Sequence, residues 1–533
     1  MKSKVNELSP ISERMNVLFI ITDQQRADHL GCSGNPILKT PNIDKFANEG
    51  VRFTNAYVAN PMCMPNRATL LTGLYPNMHG LRSNGINLPT NVPTITQALQ
   101  KKGYHTVNVG KMHLQWHFLP FQRKSSSVEH AAKWDDINTF SKMKEIFNSP
   151  YYGFDEVEIS IGHGDICGGH YLDWLKEKVL NNTSFMKELI GKRTFENERT
   201  IFNDLLKLRR KRKPFTFIYE TEMPEELYPT TFVAERTIAF LERYAKGEYG
   251  NKPFFMHCSF PDPHHPVGPP GKYHEMYKPE NITLPPSYTD IENIYHHKFL
   301  GQYLKKPPFR GTLIRESAEE EVRKFTALTY GSLSMIDHGV GKILTSLEKL
   351  GLEDNTMVIY TSDHGDLMGD HGMCLKGPNP FNGVLQVPLI WKVPGLTKRA
   401  ISDSLVSSID IPKTILNLLG IGQRRQPPDM QGYDITPILD NPNMKIRNCC
   451  LIEEDEEVDP YKIRLRHLVT EDYKITLYEG LRDYGDIFDR KNDPNELHNL
   501  WYKDKDLRNE LVNELFHENL KAQSCYPHRQ ALT

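Results

Sequence analysis

The chain has 533 residues, of which 38% are hydrophobic and 25% are charged, a composition typical of a globular protein and not of a disordered one. Its 65 Lys and Arg residues balance 67 Asp and Glu residues, which argues against a protein that coats nucleic acid or an anionic membrane. No stretch reaches the ~20 apolar residues that a membrane span needs. The first 15 residues lack the apolar core of a secretory signal, and this predicts a cytoplasmic location for the chain as written.

Short apolar runs, typical of buried strands, alternate with amphipathic stretches, typical of helices, over the first 430 residues. The predicted elements are, in chain order, a strand at 16–21, helices at 43–48 and 94–102, a strand at 105–109, a helix at 230–245, a strand at 254–260, a helix at 319–350, and strands at 357–361 and 387–393. Gly339 and Gly341 predict a break in the long helix. The alternation predicts an α/β fold with a large, mostly parallel sheet flanked by helices.

The last hundred residues have a different pattern, with short strands predicted at 450–453, 465–470, 473–478 and 486–489 and a polar helix at 505–522. This pattern predicts a smaller antiparallel sheet with one helix. We place the domain boundary near Asp440. The predicted division is an N-terminal tail at 1–15, an α/β domain at 16–440 and a C-terminal α+β subdomain at 441–533.

Two charge runs stand apart from these elements. The acidic run at 453–457 is predicted to be an exposed loop between two strands. The basic run at 207–213 is predicted to be a solvated surface insertion, with a nuclear signal or a polyanion-binding patch as the alternative.

Polar side chains follow four of the predicted strands at their carboxyl ends, where open α/β sheets bind their ligands. These residues are Asp23 and Gln24, Lys111 and His113, His264 and His265, and Asp363 and His364. Each residue alone is more typical of a cap, a turn or a structural hydrogen bond. Together, Asp23, Gln24, Asp363 and His364 offer three oxygen donors and one imidazole, which suit calcium or magnesium, with manganese as an alternative, better than zinc.

The segment from Pro61 to Gly73 predicts an anion site at a helix end. Pro65 suits the first turn of a helix that starts at or just after Cys63. Cys63 would then lie at the positive end of the helix dipole, with Arg67 one turn further on the same side. The alternative is a structural cysteine buried at a helix start.

Cys63-x-Pro65-x-Arg67, followed by Thr72-Gly73, resembles the signature of the formylglycine-dependent sulfatases of the alkaline-phosphatase-like superfamily. The resemblance covers nearly the whole chain, from about residue 16 to about residue 500. The further matching motifs stand in the family's order and are Asp23-Gln24, Gly110-Lys111-x-His113, Pro263-His264-x-Pro266, Ser362-Asp363-His364-Gly365, Leu375-Lys376-Gly377 and the segment from Asp486 to Leu500. His364 replaces an amide found in some sulfatases, although the Asp-His pair also occurs in the family.

The resemblance implies a sulfate ester hydrolase that a formylglycine-generating enzyme matures by converting Cys63 to formylglycine. One hydroxyl of the hydrated aldehyde would attack sulfur to give a covalent sulfate intermediate. The implied ligands of one divalent metal, most simply calcium, are Asp23, Gln24, Cys63, Asp363 and His364. The implied charge-neutralising groups are Arg67, Lys111 and Lys376. His264 would protonate the departing alcohol, and His113 would take the proton whose loss expels sulfate.

Three alternatives remain beside this function. Phosphonate monoester and phosphodiester hydrolases share the Cys-x-Pro-x-Arg motif but lack the Gly-Lys-x-His element, so Lys111 and His113 favour sulfate. A phosphatase or phosphomutase of the superfamily would use Ser or Thr where this chain has Cys63. A catalytically silent protein that binds sulfate esters is disfavoured because every catalytic position is kept.

Substrate choice is expected to lie in loops over the strand ends, at about 114–152, 165–213 and 269–315. The candidate pocket residues are Trp116, His117, Asp165, His170, Tyr295, His296 and Arg310. We expect a small-molecule or oligosaccharide sulfate ester, with carbohydrate, aryl and alkyl sulfates as alternatives, and no nucleic acid or membrane partner. The sequence leaves open whether the chain forms a homo-oligomer.

Overall fold

The computed structural model describes residues 14–117, 127–134, 142–143, 145–147, 150–181, 217–305, 315–458 and 461–523. The basic run at 207–213 and Arg310 lie outside these residues. Within the described ranges, no helix has both the length and the apolar character needed to cross a membrane.

The described residues contain a nine-stranded main sheet with two small two-stranded sheets beside it. The strands of these sheets are β1 Asn16–Thr22, β2 Val51–Phe53, β3 Ala56–Tyr57, β4 His105–Gly110, β5 Glu156–Ile161, β6 Gly168–Gly169, β7 Phe254–Ser259, β8 Arg315–Glu316, β9 Thr356–Ser362, β10 Met373–Cys374, β11 Leu389–Lys392, β12 Ala400–Ser402 and β13 Val406–Ser407. The main sheet has the order β12-β2-β11-β9-β1-β7-β4-β5-β6.

The centre of the main sheet is parallel, as the sequence predicts. Strands β9, β1, β7, β4 and β5 run parallel to one another, while β11 is antiparallel to both of its neighbours. Because β1, β7 and β9 are buried along their whole length, they read as continuous apolar runs in the sequence. The carboxyl ends of β1, β4, β7 and β9 therefore meet at one edge of the sheet.

Fourteen α-helices are assigned in the described residues. They are α1 Pro41–Ala47, α2 Cys63–Thr72, α3 Pro76–His79, α4 Ile95–Lys102, α5 Ala131–Trp134, α6 His170–Asn181, α7 Pro229–Ala245, α8 Ile291–His296, α9 Leu300–Lys305, α10 Glu319–Lys349, α11 Asn382–Leu385, α12 Asp410–Leu418, α13 Thr436–Asp440 and α14 Lys505–Ala522. One core lies on each face of the main sheet, between the sheet and these helices.

The break predicted in the long helix is wrong, because α10 continues through both glycines. A Cβ atom on Gly341 would lie 2.4 Å from the side chain of Asn42, and a Cβ on Gly339 would lie 3.4 Å from Ala234. The two glycines therefore allow α1 and α7 to approach α10 closely rather than interrupting it.

The C-terminal antiparallel sheet is formed by β14 Cys449–Val458, β15 Tyr461–Thr470, β16 Tyr473–Tyr478 and β17 Gly485–Asp489, in that order. The exposed loop predicted at 453–457 is wrong, since these residues continue β14. Glu453, Glu454, Asp455 and Glu456 are buried, and Glu457 is exposed. Buried carboxylates need partners, and Asn77, Arg466 and His467 supply them to the first three.

Candidate active site

Helix α2 begins at Cys63, as the position of Pro65 predicts, and its first residue lies at the carboxyl edge of the main sheet. Met62 precedes the helix in an extended conformation, and Gly73 ends it in a left-handed conformation with φ of 68°. Because all ten residues of α2 are buried, Cys63 is held in one position at the positive end of the helix dipole.

The Cys63 thiol contacts two groups delivered from beyond β9. Lys376 Nζ lies 2.7 Å from Cys63 Sγ, and His364 Nε2 lies 3.2 Å from it. Burial disfavours the thiolate, but the ammonium groups of Lys376 and Lys111 outweigh burial and lower the pKa of Cys63 to about 7. The fold thus creates an environment that stabilises negative charge at residue 63.

Arg67 in α2 makes hydrogen bonds with residues at the carboxyl ends of the three strands β4, β7 and β9. Its Nε donates to Asp363 Oδ2 at 2.7 Å, and its Nη1 donates to Ser259 Oγ at 2.8 Å and to the carbonyl oxygen of Lys111 at 2.9 Å. The remaining Nη2 is buried without a hydrogen-bond partner. Arg67 therefore keeps the two N–H groups of Nη2 for an anion, while Nε and Nη1 fix its position.

Four residues bring possible metal ligands together. One ligand atom each of Asp23, Cys63, Asp363 and His364 lies within 4.8 Å of the others. Asp23 Oδ1 is buried without a hydrogen-bond partner, although Asp23 Oδ2 pairs with Lys111 Nζ. Two carboxylates and an imidazole with an orphaned oxygen among them fit a hard divalent cation. These residues therefore fit the metal that the resemblance implies.

The side chain of Gln24, the other predicted ligand, makes hydrogen bonds with neighbouring residues. Its amide oxygen and nitrogen lie 3.1 and 2.8 Å from His265 Nδ1, and the nitrogen also donates to Asp366. Its backbone N–H donates to Asp363 Oδ1 at 3.1 Å. Gln24 thus orients Asp363, and its place in the metal's ligand set stays a prediction.

His264 is positioned by its own neighbour in the chain. Its Nδ1 contacts the carbonyl oxygen of His265, which requires Nδ1 to donate and leaves Nε2 as an acceptor, 3.1 Å from Lys376 Nζ. Burial, together with the nearby His163 and Lys376, lowers the pKa of His264 well below its usual range. The ring is therefore neutral at pH 7 in the absence of an added anion.

His113 follows the carboxyl end of β4 and has a positive φ of 57°. Its backbone N–H donates to Glu129 at 2.9 Å, and its ring stacks on His117 with centroids 3.9 Å apart. Its Nδ1 is buried without a hydrogen-bond partner. Burial, then His117 and Lys111, lowers the pKa of His113 well below its usual range, so that it can accept a proton only when new negative charge arrives.

His163 is a site residue that the sequence analysis did not identify. Its Nε2 lies 2.7 Å from Lys111 Nζ and 3.4 Å from Asp23 Oδ2, and its ring stacks on His264 with centroids 3.6 Å apart. It follows β5, a strand that the sequence analysis did not predict. The alternation of polar and apolar residues in β5 was the signal that could have placed His163 at the carboxyl edge.

The loop candidates divide between the site and other positions. His117 contacts the site through His113. The other candidates bond elsewhere or face solvent: Asp165 pairs with Thr221, His170 with the backbone of Ile159, Tyr295 with Glu316 and Trp116 with the ring of His130, while His296 is exposed. The structure therefore does not gather these residues into one pocket.

Comparison with known proteins identifies the family. The sulfatase family model matches residues 15–421, and a model described as N-sulphoglucosamine sulphohydrolase, C-terminal, matches residues 369–524. An arylsulfatase of Clostridium perfringens (strain 13 / Type A) is 30% identical over 511 residues, covering 94% of each chain. An N-acetylglucosamine-6-O-sulfatase of Bacteroides thetaiotaomicron is 24% identical over 524 residues, covering 92% of this chain and 83% of the relative.

Solved structures show the same fold. The phosphonate monoester hydrolase of Agrobacterium radiobacter superimposes with a TM-score of 0.74 at 23% identity, covering 98% of each chain. Together with the family model, these matches confirm the predicted superfamily and architecture. The chain therefore belongs to the sulfatase family and is a sulfuric ester hydrolase.

Proposed function

We propose that the chain hydrolyses a sulfate ester to an alcohol and inorganic sulfate, with formylglycine derived from Cys63 as its nucleophile and one divalent metal as its cofactor. The observation that carries this proposal is the convergence of three buried cations, Arg67, Lys111 and Lys376, on the helix end that holds Cys63. A sulfate ester is an anion, and buried cations beside a helix N-terminus stabilise an anion.

The chain's own residues bind and orient the sulfuryl group. Lys376 and His364 contact the side chain of residue 63, so they also hold the nucleophile in place. Asp363 pairs with Arg67 and Asp23 pairs with Lys111. These ion pairs hold both cations in place, so that neither forms an ion pair with the nucleophile. A divalent metal held by Asp23, Asp363, His364 and residue 63, with Gln24 as a further candidate ligand, supplies positive charge to the sulfuryl oxygens when bound. Calcium is favoured, and magnesium or manganese is the alternative.

Two histidines, His264 and His113, handle protons in the proposed reaction. His264 protonates the departing alcohol from Nε2, because its Nδ1 is committed to the backbone. The anionic ester raises the proton affinity of this nitrogen on binding, which offsets the effect of burial. His113 accepts a proton during release of sulfate through its unpartnered Nδ1.

The names of the relatives support a sugar sulfate as the substrate. They include the N-acetylglucosamine-6-O-sulfatase and the iduronate 2-sulfatases of mouse and human. We propose a monosaccharide or oligosaccharide sulfate as the substrate class, and a formylglycine-generating enzyme as the partner that matures Cys63.

A second candidate activity is hydrolysis of phosphonate monoesters. The similarity to the Agrobacterium radiobacter hydrolase and a 29% identical relative from Trinickia caryophylli, a multifunctional alkaline phosphatase superfamily protein, favour it. Lys111 and His113, the element that this class lacks, favour sulfate.

The test starts with protein produced together with a formylglycine-generating enzyme. The mass of the tryptic peptide 53–67 should show an aldehyde in place of the thiol of residue 63. Turnover is then compared on p-nitrophenyl sulfate and an aryl phosphonate. We expect kcat/KM to be higher for the sulfate, and Cys63→Ala to lower it by about 10³-fold or more with no change in Tm.

Cys32→Ala serves as the control, because Cys32 lies outside the site and should be replaceable without loss of turnover. Retained activity in Cys63→Ala would refute the assigned nucleophile. A higher kcat/KM on the phosphonate would establish the second candidate instead.

A further inference from the structure

The acidic strand β14 borders the active site along the segment that leads into α2. Glu453 N–H donates to the carbonyl oxygen of Ala59 at 2.9 Å, and Asn60 Nδ2 donates to the carbonyl oxygen of Glu453 at 2.6 Å. Four residues along the strand, Glu457 N–H donates to Ser83 Oγ at 3.2 Å. These contacts fix β14 against the residues just before Cys63.

The loop that receives the end of β14 touches the first turn of α2. Asn84 Oδ1 accepts from the N–H of Met64 at 3.1 Å, and Gly85 N–H lies 3.3 Å from Met64 Sδ. Because Ser83 belongs to this loop and bonds β14, the strand residue before Glu457 is held close to the N-terminus of α2. That residue is Glu456.

Side-chain alternation separates Glu456 from its charged neighbours. Glu457 is exposed and pairs with Arg82 at 2.5 Å, whereas Glu456 points to the opposite face and is 4% exposed. Burial raises the pKa of Glu456 to about 8, and Lys376 and then Cys63 are the charged groups that act on it most. The Glu456 carboxyl is therefore buried on the side of β14 opposite Glu457, within the electrostatic influence of Lys376 and Cys63.

One oxygen of this carboxyl has no partner. Glu456 Oε1 is buried and makes no hydrogen bond within the described residues. An unpaired buried carboxyl oxygen is costly, and such groups are usually paired by a ligand or water when the protein is at work. Because Ser83 and Asn84 link the end of β14 to the first turn of α2, a ligand that extends from residue 63 toward β14 would approach this oxygen.

We infer that Glu456 is a substrate-binding residue that accepts a hydrogen bond from a hydroxyl or amino group of the alcohol, close to the carbon that bears the sulfate. The inference rests on the proposed function. A carboxyl here selects polyhydroxylated or amino-sugar sulfates over aryl sulfates, which have no such donor, because the aryl substrate leaves Oε1 buried and unpaired.

The experiment compares wild type, Glu456→Gln, Glu456→Ala and the control Glu457→Gln, all with formylglycine at residue 63. The probes are p-nitrophenyl sulfate, glucosamine 6-sulfate and galactose 6-sulfate. On the sugar sulfate that wild type hydrolyses best, we expect Glu456→Ala to lower kcat/KM by about 10- to 100-fold, chiefly through KM. Glu456→Gln keeps an acceptor oxygen and should lose less. On p-nitrophenyl sulfate, each variant should stay within about threefold of wild type.

Each other pattern overturns the inference. An equal loss of kcat/KM on sugar and aryl sulfates would mean that Glu456 only supports the structure of the site. Wild-type kcat/KM on both kinds of substrate would mean that Glu456 does not touch the substrate. Turnover of p-nitrophenyl sulfate without turnover of any sugar sulfate by wild type would contradict the inference and the proposed sugar substrate, while leaving the proposed hydrolysis of sulfate esters intact. Failure of wild type on all three sulfates would contradict both. Because Gln has the shape of Glu, a folded Glu456→Gln keeps the test valid if the alanine variant unfolds.

Discussion

Lys376 is the residue with the largest charge effect on residue 63. In protein that keeps its thiol, Lys376→Ala removes the ammonium that lies 2.7 Å from Cys63 Sγ, while burial still opposes the thiolate. We therefore expect the pKa of Cys63 to rise from about 7, because burial then opposes the thiolate with one fewer ammonium group to offset it. The ultraviolet absorbance of the thiolate should rise through pH 7 in metal-free wild type and only at higher pH in the variant.

Cys63→Ala provides the baseline for this titration, because it lacks the thiolate whose ultraviolet absorbance is measured. The pKa values of Cys258 and Cys450 are raised by burial to about 12 and about 11, so these thiols stay protonated through the range measured. A wild-type titration that starts only above pH 9 would contradict the charge assignment.

Asp23 links metal binding to stability. Its Oδ1 is buried without a hydrogen-bond partner and would coordinate a bound cation, so added Ca²⁺ should raise the Tm of chelator-treated protein. At about 100 times its dissociation constant, the ion should contribute about 2.7 kcal/mol. Asp23→Asn should abolish this response. Asp337→Asn, a buried carboxylate in α10 outside the site, should retain it. A Tm that ignores Ca²⁺, Mg²⁺ and Mn²⁺ alike would refute the metal site.

At the scale of residues, the sequence predicted positions better than contacts. It placed Asp363 and His364 at one edge because they follow an apolar run, and spacing along a strand is a local property. It could not predict that the Gln24 amide would bond His265, since that contact joins two strand ends 241 residues apart. Which partner a polar side chain selects is decided by tertiary packing.

At the scale of elements, Gly103 just before β4 and Gly110 at its end differ in the space available for a side chain. Gly110 has φ of 99°, and a Cβ there would lie 1.9 Å from the carbonyl oxygen of Ser259, whereas a Cβ on Gly103, with φ of 94°, would meet nothing within 4 Å. Gly103→Ala should therefore cost only the strain of the left-handed backbone, about 1–2 kcal/mol.

Gly110→Ala should cost more than Gly103→Ala and should also lower kcat/KM. The same Ser259 carbonyl accepts from the backbone N–H of Lys111 at 3.0 Å, so its displacement moves Lys111 in the site. Urea unfolding and steady-state kinetics on both variants check this. Equal stability losses with equal kcat/KM would contradict the assigned clash.

Two element predictions failed for reasons of packing. The acidic run in β14 was assigned to a loop because consecutive charges are usually solvated, yet Arg466 and His467 on the paired strand compensate Asp455 and Glu454. The glycines of α10 were assigned to a break because glycine disfavours helix, yet close helix contacts require them there. In both cases the deciding partner lies on another element, the paired strand β15 for the acidic run and the helices α1 and α7 for the glycines.

At the scale of the whole molecule, the C-terminal sheet and the main domain share a hydrophobic core. The residues of this core are Tyr57, Val58, Leu385, Val387 and Leu405 from the main domain and Cys450, Ile452 and Val469 from the C-terminal sheet. A shared core couples the two parts during unfolding. The boundary near Asp440 stays a prediction about sequence organisation. We do not expect the parts on its two sides to unfold independently.

Ile452→Ala tests this coupling. The variant should lose about 2–5 kcal/mol, and loss of activity and change in tryptophan fluorescence should shift together in urea to one lower midpoint. Ile401→Ala is the matched control, because Ile401 is 63% exposed and its truncation should change stability by less than about 0.5 kcal/mol. Two separate transitions in Ile452→Ala would show that the C-terminal sheet unfolds on its own.

The enclosure of residue 63 has a consequence for the maturation that we propose for it. Cys63 is 2% exposed, and its backbone is wound into the first turn of a helix that is buried on every side. If Cys63 is converted to formylglycine as we propose, the maturing enzyme has to reach the thiol and its flanking peptide, and it would have to act before the helix forms and docks. Chains that folded first would then keep their thiol, and the relative rates of maturation and folding would set the active fraction of a preparation.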